Sequence, residues 1–126
     1  AADNRFMTTA ERAAAPLLPN LPARQPGAPG QFAFGDRQRI ASVLSDGGWA
    51  DVAIEPVERA CVLSESALDD YLARLGPVGL ALLETDEATR RRVIDTMRAA
   101  FERYVHGAEV RFDAACWLVT ARAPSA

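Results

Sequence analysis

Hydrophobic and polar positions follow helical spacing between residues 36 and 48, so this stretch predicts a helix. Asp36 is a good helix N-cap, because its carboxylate can accept hydrogen bonds from the free N–H groups of the first turn. Ile40, Val43 and Leu44 have i, i+3, i+4 spacing and form one apolar stripe. We therefore expect this helix to pack on other apolar residues along that stripe.

A strand is predicted directly after this helix. Gly47 and Gly48 should end the helix, because the residue that follows a helix often takes a positive φ, which glycine adopts without steric cost. Val52 and Ile54 then alternate with polar residues, as in a half-buried strand. Pro56 cannot donate a hydrogen bond to a neighbouring strand, so the strand either ends near it or lies at a sheet edge.

Further helices are predicted on both sides of this unit. Residues 6–15 form the first, and the five prolines between residues 16 and 29 exclude a regular helix there, which indicates a surface connector. Ser64 can cap a helix that reaches Leu75, and residues 78–84 form a shorter one. The longest helix should run from Asp86 to about His106. Its apolar face consists of Val93, Ile94, Met97, Phe101 and Tyr104.

Two more strands complete the predicted sheet. Residues 57–63 are expected to form a second short strand beyond Pro56. The last strand, residues 115–121, is apolar on both faces, with Trp117 and Val119 on one and Cys116 and Leu118 on the other. A strand without a polar face is typically covered on both sides, so we expect it to be central in its sheet and antiparallel to the earlier strand.

These elements predict an α/β fold, or an α+β fold when the chain stands alone. It should contain a small, partly antiparallel sheet of two to three strands packed by about five helices. A chain of 126 residues is expected to form a single domain, residues 1–126. Its expected parts are an N-terminal helix and proline-rich connector (1–30), a helix–strand unit (31–63), a helical insertion (64–107) and a closing strand (108–126).

Composition and charge exclude several classes of function. The net charge of −3 and the scattered basic residues provide no surface that would bind DNA or RNA. No apolar run approaches the roughly 20 residues of a membrane helix, and the first residues lack the pattern of a secretory signal. We therefore expect a cytoplasmic protein without a nucleic-acid or membrane partner. All 14 basic residues are arginine, which favours a GC-rich bacterial genome.

No group of residues in the sequence indicates catalysis or metal binding. Cys61 and Cys116 lie in apolar runs and are expected to be buried free thiols, and the one histidine excludes a zinc site with several imidazole ligands. His106 is explained by the carbonyl end of the long helix. Asp69 and Asp70 point about 100° apart on a helix, so their presence in its first turn is explained by the helix dipole rather than by a shared site.

Several motifs occur in a fixed order along the chain. They read F-x-F-x-D, an amphipathic helix, L-x-x-x-G-W-x-D-V and I-E-P-V, with NRFMT at residues 4–8 and ACWLVTA at residues 115–121. This order resembles the C-terminal part of the class I S-adenosylmethionine-dependent methyltransferases of small molecules. The residues of the central motifs are Phe32, Phe34, Asp36, Leu44, Gly48, Trp49, Asp51, Val52, Ile54, Glu55, Pro56 and Val57.

The resemblance implies that the unit at residues 32–58 is the last helix and sixth strand of a Rossmann-like sheet, and that residues 115–121 form its seventh strand. In that family S-adenosylmethionine is bound by an N-terminal half, with a glycine-rich turn after the first strand. The present sequence contains no G-x-G run. We therefore expect an inactive C-terminal portion that binds no cofactor by itself and has no catalytic, cofactor-binding or metal-binding residue.

The resemblance also implies a substrate pocket capped by the N-terminal helix and the helical insertion, with the proline-rich segment on its rim. Its wall would include Phe6, Phe32, Phe34, Tyr71 and Leu75, although ordinary core positions explain these five residues more simply. A sheet that lacks its other half would leave the closing strand with an unpaired edge beside apolar surface, which favours a homodimer or domain swap. The alternative is an independent α+β module for ligand binding or dimerisation, with an apolar cavity under the helices of residues 64–84.

Overall fold

The computed structural model describes residues 3–123, and these form an α+β fold with five helices and a three-stranded antiparallel sheet. The sheet has the strand order β1-β3-β2. The helices are α1 (Arg5–Ala14), α2 (Arg37–Asp46), α3 (Leu68–Arg74), α4 (Gly76–Leu82) and α5 (Glu87–Phe101). The strands are β1 (Ala50–Ser64), β2 (Val105–His106) and β3 (Glu109–Arg122). The five predicted helices and the antiparallel sheet are thus confirmed at this level of detail.

The chain divides into two compact units, each of which contains part of β1 and part of β3. The first unit comprises the described residues up to Ala23 together with Ala60–Ala114. The second comprises Arg24–Arg59 and the described residues from Ala115 onward. The predicted single domain and its four segments stay a prediction.

The first unit has a core built from four helices and the start of β3. Helix α1 packs against α5, and α3 packs against both α4 and α5. The predicted apolar face of α5 is confirmed at Val93, Ile94, Met97 and Phe101, all of which are buried. The other large side chains with no more than 1% exposure are Leu68, Leu72, Val78, Leu82 and Val110.

The second unit contains α2 and the loop that precedes it. The carboxylate of Asp36 accepts a hydrogen bond from the N–H of Gln38 at 2.9 Å, which confirms the predicted cap. Gly48 has a φ of 80° and follows the helix end, as expected for a glycine in the left-handed region. Of the predicted stripe, Ile40 is buried and Leu44 half-buried, but Val43 is 50% exposed, so its predicted burial is wrong.

Strand β1 differs from the prediction of two short strands. It runs without a break from Ala50 to Ser64 and includes Pro56. Because β1 is the outer strand in the order β1-β3-β2, the missing N–H of Pro56 costs no ladder hydrogen bond when it points away from β3. Of the two alternatives for Pro56, the position at a sheet edge is therefore confirmed.

The longest helix ends earlier than predicted. Helix α5 stops at Phe101, a 3₁₀ turn follows at Glu102–Tyr104, and His106 lies in β2. The reason is a tight connection between β2 and β3, in which Gly107 has a φ of 64° and His106 pairs with Glu109. The predicted place of His106 at a helix C-terminus is therefore wrong.

Strand β3 is the inner strand of the sheet, as predicted, but its faces are not covered as predicted. Leu118 is 53% exposed, Val119 is 38% exposed and Cys116 is exposed. On the side of β3 opposite β1, the two-residue strand β2 pairs only with Glu109 and Val110. Within the described residues the later part of β3 therefore has apolar side chains in contact with solvent beside a free strand edge.

Candidate functional site

Four aromatic side chains from separate elements meet in the first unit, and we call them the aromatic cluster: Phe6, Tyr71, Tyr104 and Phe112. Phe6 of α1 stacks on Phe112 of β3, with ring centroids 4.1 Å apart and planes 19° apart. Tyr71 of α3 lies 6.2 Å from Phe112, and Tyr104 approaches Phe112 edge-on at 6.4 Å. The two tyrosine distances lie within the range of roughly 4.5–7 Å at which aromatic rings attract one another beyond simple area burial, and the Phe6–Phe112 pair is closer still.

The hydroxyl groups of Tyr71 and Tyr104 add polar atoms to the aromatic cluster. The Tyr104 hydroxyl lies 3.5 Å from the hydroxyl of Thr9, which in turn donates to the carbonyl of Arg5 at 2.8 Å. Burial raises the pKa of Tyr71 above its usual value, and the neighbouring Cys61 thiol raises it further. The Tyr71 phenol is therefore neutral at physiological pH and can donate or accept a hydrogen bond.

The structure brings together two of the five predicted pocket residues. Phe6, which is 8% exposed, and the half-buried Tyr71 both contact Phe112. Leu75 is half-buried at the junction of α3 and α4 and packs against the core of the first unit. These three residues therefore have a role in packing.

The other two predicted pocket residues lie in the second unit. The guanidinium of Arg24 lies over the ring of Phe32, 4.4 Å from its centroid, and Arg24 also donates to the side-chain carbonyl of Gln31 at 3.2 Å. Phe34 is 55% exposed. The loop is further held by Arg39, which donates to the carbonyl of Gly27 at 2.9 Å. Phe32 and Phe34 thus lie in the loop that precedes α2.

The sequence places Tyr104 on a helix face and does not identify Phe112 as a site residue, because the last strand is predicted only at residues 115–121. Residues 109–114 are the start of β3, and Phe112 lies between Val110 and Ala114 in the alternation of that strand. Val110 is buried, and Phe112 and Ala114 are half-buried and pack against the core. This apolar alternation is visible in the sequence and is the signal that would have identified Phe112.

A second cluster of polar residues joins α3 to α5. Arg98 forms ion pairs with Asp69, at 2.8 Å between Nη1 and Oδ1, and with Glu65. Asp69 and Asp70 lie in the first turn of α3, which confirms the predicted helix-dipole arrangement. Since Asp69 is directed to Arg98, it is a structural residue and does not form a carboxylate pair for acid–base catalysis.

The remaining candidates for chemistry do not form a site. Cys61 is half-buried and Cys116 is exposed, and no disulfide joins them, so the expected burial of Cys116 is wrong. Between residues 3 and 123, no three histidine, cysteine, aspartate or glutamate side chains are grouped so that they could hold a metal ion. None of the helices in the same range has the length and apolarity needed to cross a bilayer.

Comparisons with known proteins add no family to this description: the sequence matches no family model, no curated protein and no solved structure. The aromatic cluster, the Arg98 ion pairs and the exposed part of β3 are therefore interpreted from the geometry of this chain.

Proposed function

We propose that this chain is the C-terminal part of an S-adenosylmethionine-dependent methyltransferase of small molecules, in which it completes the sheet and caps the substrate pocket. The observation that supports this most is the arrangement of β1 and β3. Strand β1 is the outer strand, β3 pairs with it in antiparallel fashion, and α3, α4 and α5 lie between them in sequence. A sheet closed by a long antiparallel pair with a helical insertion is what the resemblance implies.

The exposed part of β3 has two consequences for this proposal. Trp117, Leu118 and Val119 are predicted to be covered, and within the described residues this prediction is wrong for Leu118 and Val119. The later part of β3 supports the proposal: within the described residues β2 pairs only with Glu109 and Val110, so no further strand lies on that side of β3, as expected for an incomplete sheet.

In the proposed enzyme the aromatic cluster would form part of the wall of the substrate pocket. Methyl transfer uses the electrophilic methyl group of the cofactor sulfonium, so the protein mainly orients the acceptor and excludes water. Aromatic rings with neutral hydroxyl groups, such as Tyr71, suit both tasks. S-adenosylmethionine itself would be bound by an N-terminal half, since the chain has no G-x-G turn to approach it.

The test compares this chain with a longer chain extended through the coding sequence upstream of Ala1. The proposal expects that extension to encode a glycine-rich turn after a strand, and the longer chain to bind S-adenosylmethionine in calorimetric titration. It expects no micromolar binding by the 126-residue chain. Micromolar binding by the short chain, or none by a longer chain that carries the turn, would refute the proposal.

The substitution Leu118→Lys also compares the short chain with the longer one, by its effect on the stability of each. Because Leu118 is 53% exposed, Leu118→Lys should change the stability of the short chain by no more than about 0.5 kcal/mol. In a completed sheet the same lysine would be buried without a partner and should destabilise the longer chain by about 3 kcal/mol or more. Leu83→Lys, at a residue that is 74% exposed, is the matched control. Equal effects of Leu118→Lys in both chains would contradict the proposal.

The second candidate function is an independent α+β module for ligand binding or dimerisation. It is favoured by the core of the first unit, where Leu68, Leu72, Val78 and Leu82 are already buried to 1% exposure or less. The same burial fills the region under α3 and α4 with side chains, which argues against the predicted apolar cavity there. Unchanged stability of Leu118→Lys in both chains would favour this module.

Both candidates allow the free edge of β3 to pair with a second copy of the chain. We expect the molar mass of the short chain, measured by light scattering, to rise from monomer towards dimer with concentration. Leu118→Lys should suppress this rise, because a charge beside a strand edge opposes edge-to-edge pairing, whereas Leu83→Lys should not. A monodisperse monomer at high concentration would contradict self-association.

A further inference from the structure

We draw no further inference here: the strongest candidate, the exposed apolar stretch of β3 around Leu118 and Val119, belongs to the sheet edge already described, and nothing else in the described residues shows what covers it.

Discussion

Replacement of Gly79 by alanine tests the close junction between α3 and α4. A Cβ atom added at Gly79 would lie 2.6 Å from the carbonyl carbon of Arg74 and 2.9 Å from its Cα and carbonyl oxygen. Ordinary van der Waals contacts of a Cβ begin at 3.4 Å. All three atoms belong to the backbone, so no side-chain rotation can relieve the clash. Helix α4 would have to move away from the end of α3 by several tenths of an ångström.

The expected loss of stability is the difference between two opposing effects. Gly→Ala inside a helix stabilises by about 1 kcal/mol, because alanine loses less backbone entropy than glycine on folding. Forcing an extra carbon into a packed junction costs about 1–3 kcal/mol. The neighbouring residues Val78 and Leu82 are fully buried, so a shift of α4 also disturbs the core, and the upper part of that range applies. We expect a net loss of about 1–2 kcal/mol, or roughly 4–8 °C in Tm.

Urea unfolding followed by circular dichroism measures this loss. The matched control is Leu80→Ala, which changes the adjacent residue of the same helix at a site that is 70% exposed and should alter stability by about 0.5 kcal/mol or less. Gly79→Ser carries the same Cβ and should be destabilised at least as much as Gly79→Ala. A Gly79→Ala protein as stable as the original chain would show that Arg74 and Gly79 are not in close contact.

Two further predictions concern charged residues. Arg98→Ala should lower stability by about 1 kcal/mol, because Arg98 joins two elements through its ion pairs with Glu65 and Asp69. Arg91→Ala should lower it by only about 0.3 kcal/mol, because Arg91 forms one exposed pair with Asp95. Equal losses for the two variants, measured by urea unfolding at low salt, would contradict this difference. Asp86 accepts hydrogen bonds from the N–H and hydroxyl of Thr89, at 2.9 and 2.8 Å, and these bonds lower its pKa. Its folded pKa therefore lies below its unfolded pKa, so its stabilising effect is complete above about pH 4 and is lost as pH falls through the folded pKa. The urea midpoint of Asp86→Asn should accordingly fall less than that of the original chain below pH 4, and parallel curves would show that folding does not lower the pKa of Asp86.

The positions of the helices could be predicted because their boundaries depend on local chemistry. Asp36 and Asp86 cap α2 and α5 through their own side chains, and Gly48 takes the positive φ that ends α2. The end of α5 was misplaced because the apolar spacing of Tyr104 continues the pattern of Phe101, although the backbone already turns towards β2. A short hairpin around Gly107 competes with the last helical turn, and its pairing with β3 is not visible in the local pattern.

The burial of individual apolar residues was predicted less well, because it depends on contacts with residues that are distant in the sequence. Val43 lies on the same predicted stripe as Ile40, yet only Ile40 is buried. The aromatic cluster also depends on contacts between residues that are distant in the sequence. Phe6 and Phe112 are 106 positions apart, and only the approach of α1 to β3 makes them a stacked pair. The alternation of Val110, Phe112 and Ala114 marks Phe112 as an apolar strand residue, but its contacts with Phe6 and Tyr71 could not be predicted from local spacing.

The exposed part of β3 is a wrongly predicted burial that bears on the proposed function. A polar residue at Leu118 or Val119 would cost nothing if these positions were exposed in the working protein, and solvent-exposed strands usually alternate apolar and polar side chains. The uninterrupted apolar run from Ala114 to Val119 is instead the pattern of a strand with both faces covered. Since the described residues leave Leu118 and Val119 exposed, the cover would have to come from further sheet and helices or from a second chain. Leu118→Lys distinguishes these sources, because only a longer chain supplies cover at every concentration, whereas cover from a second copy is lost on dilution.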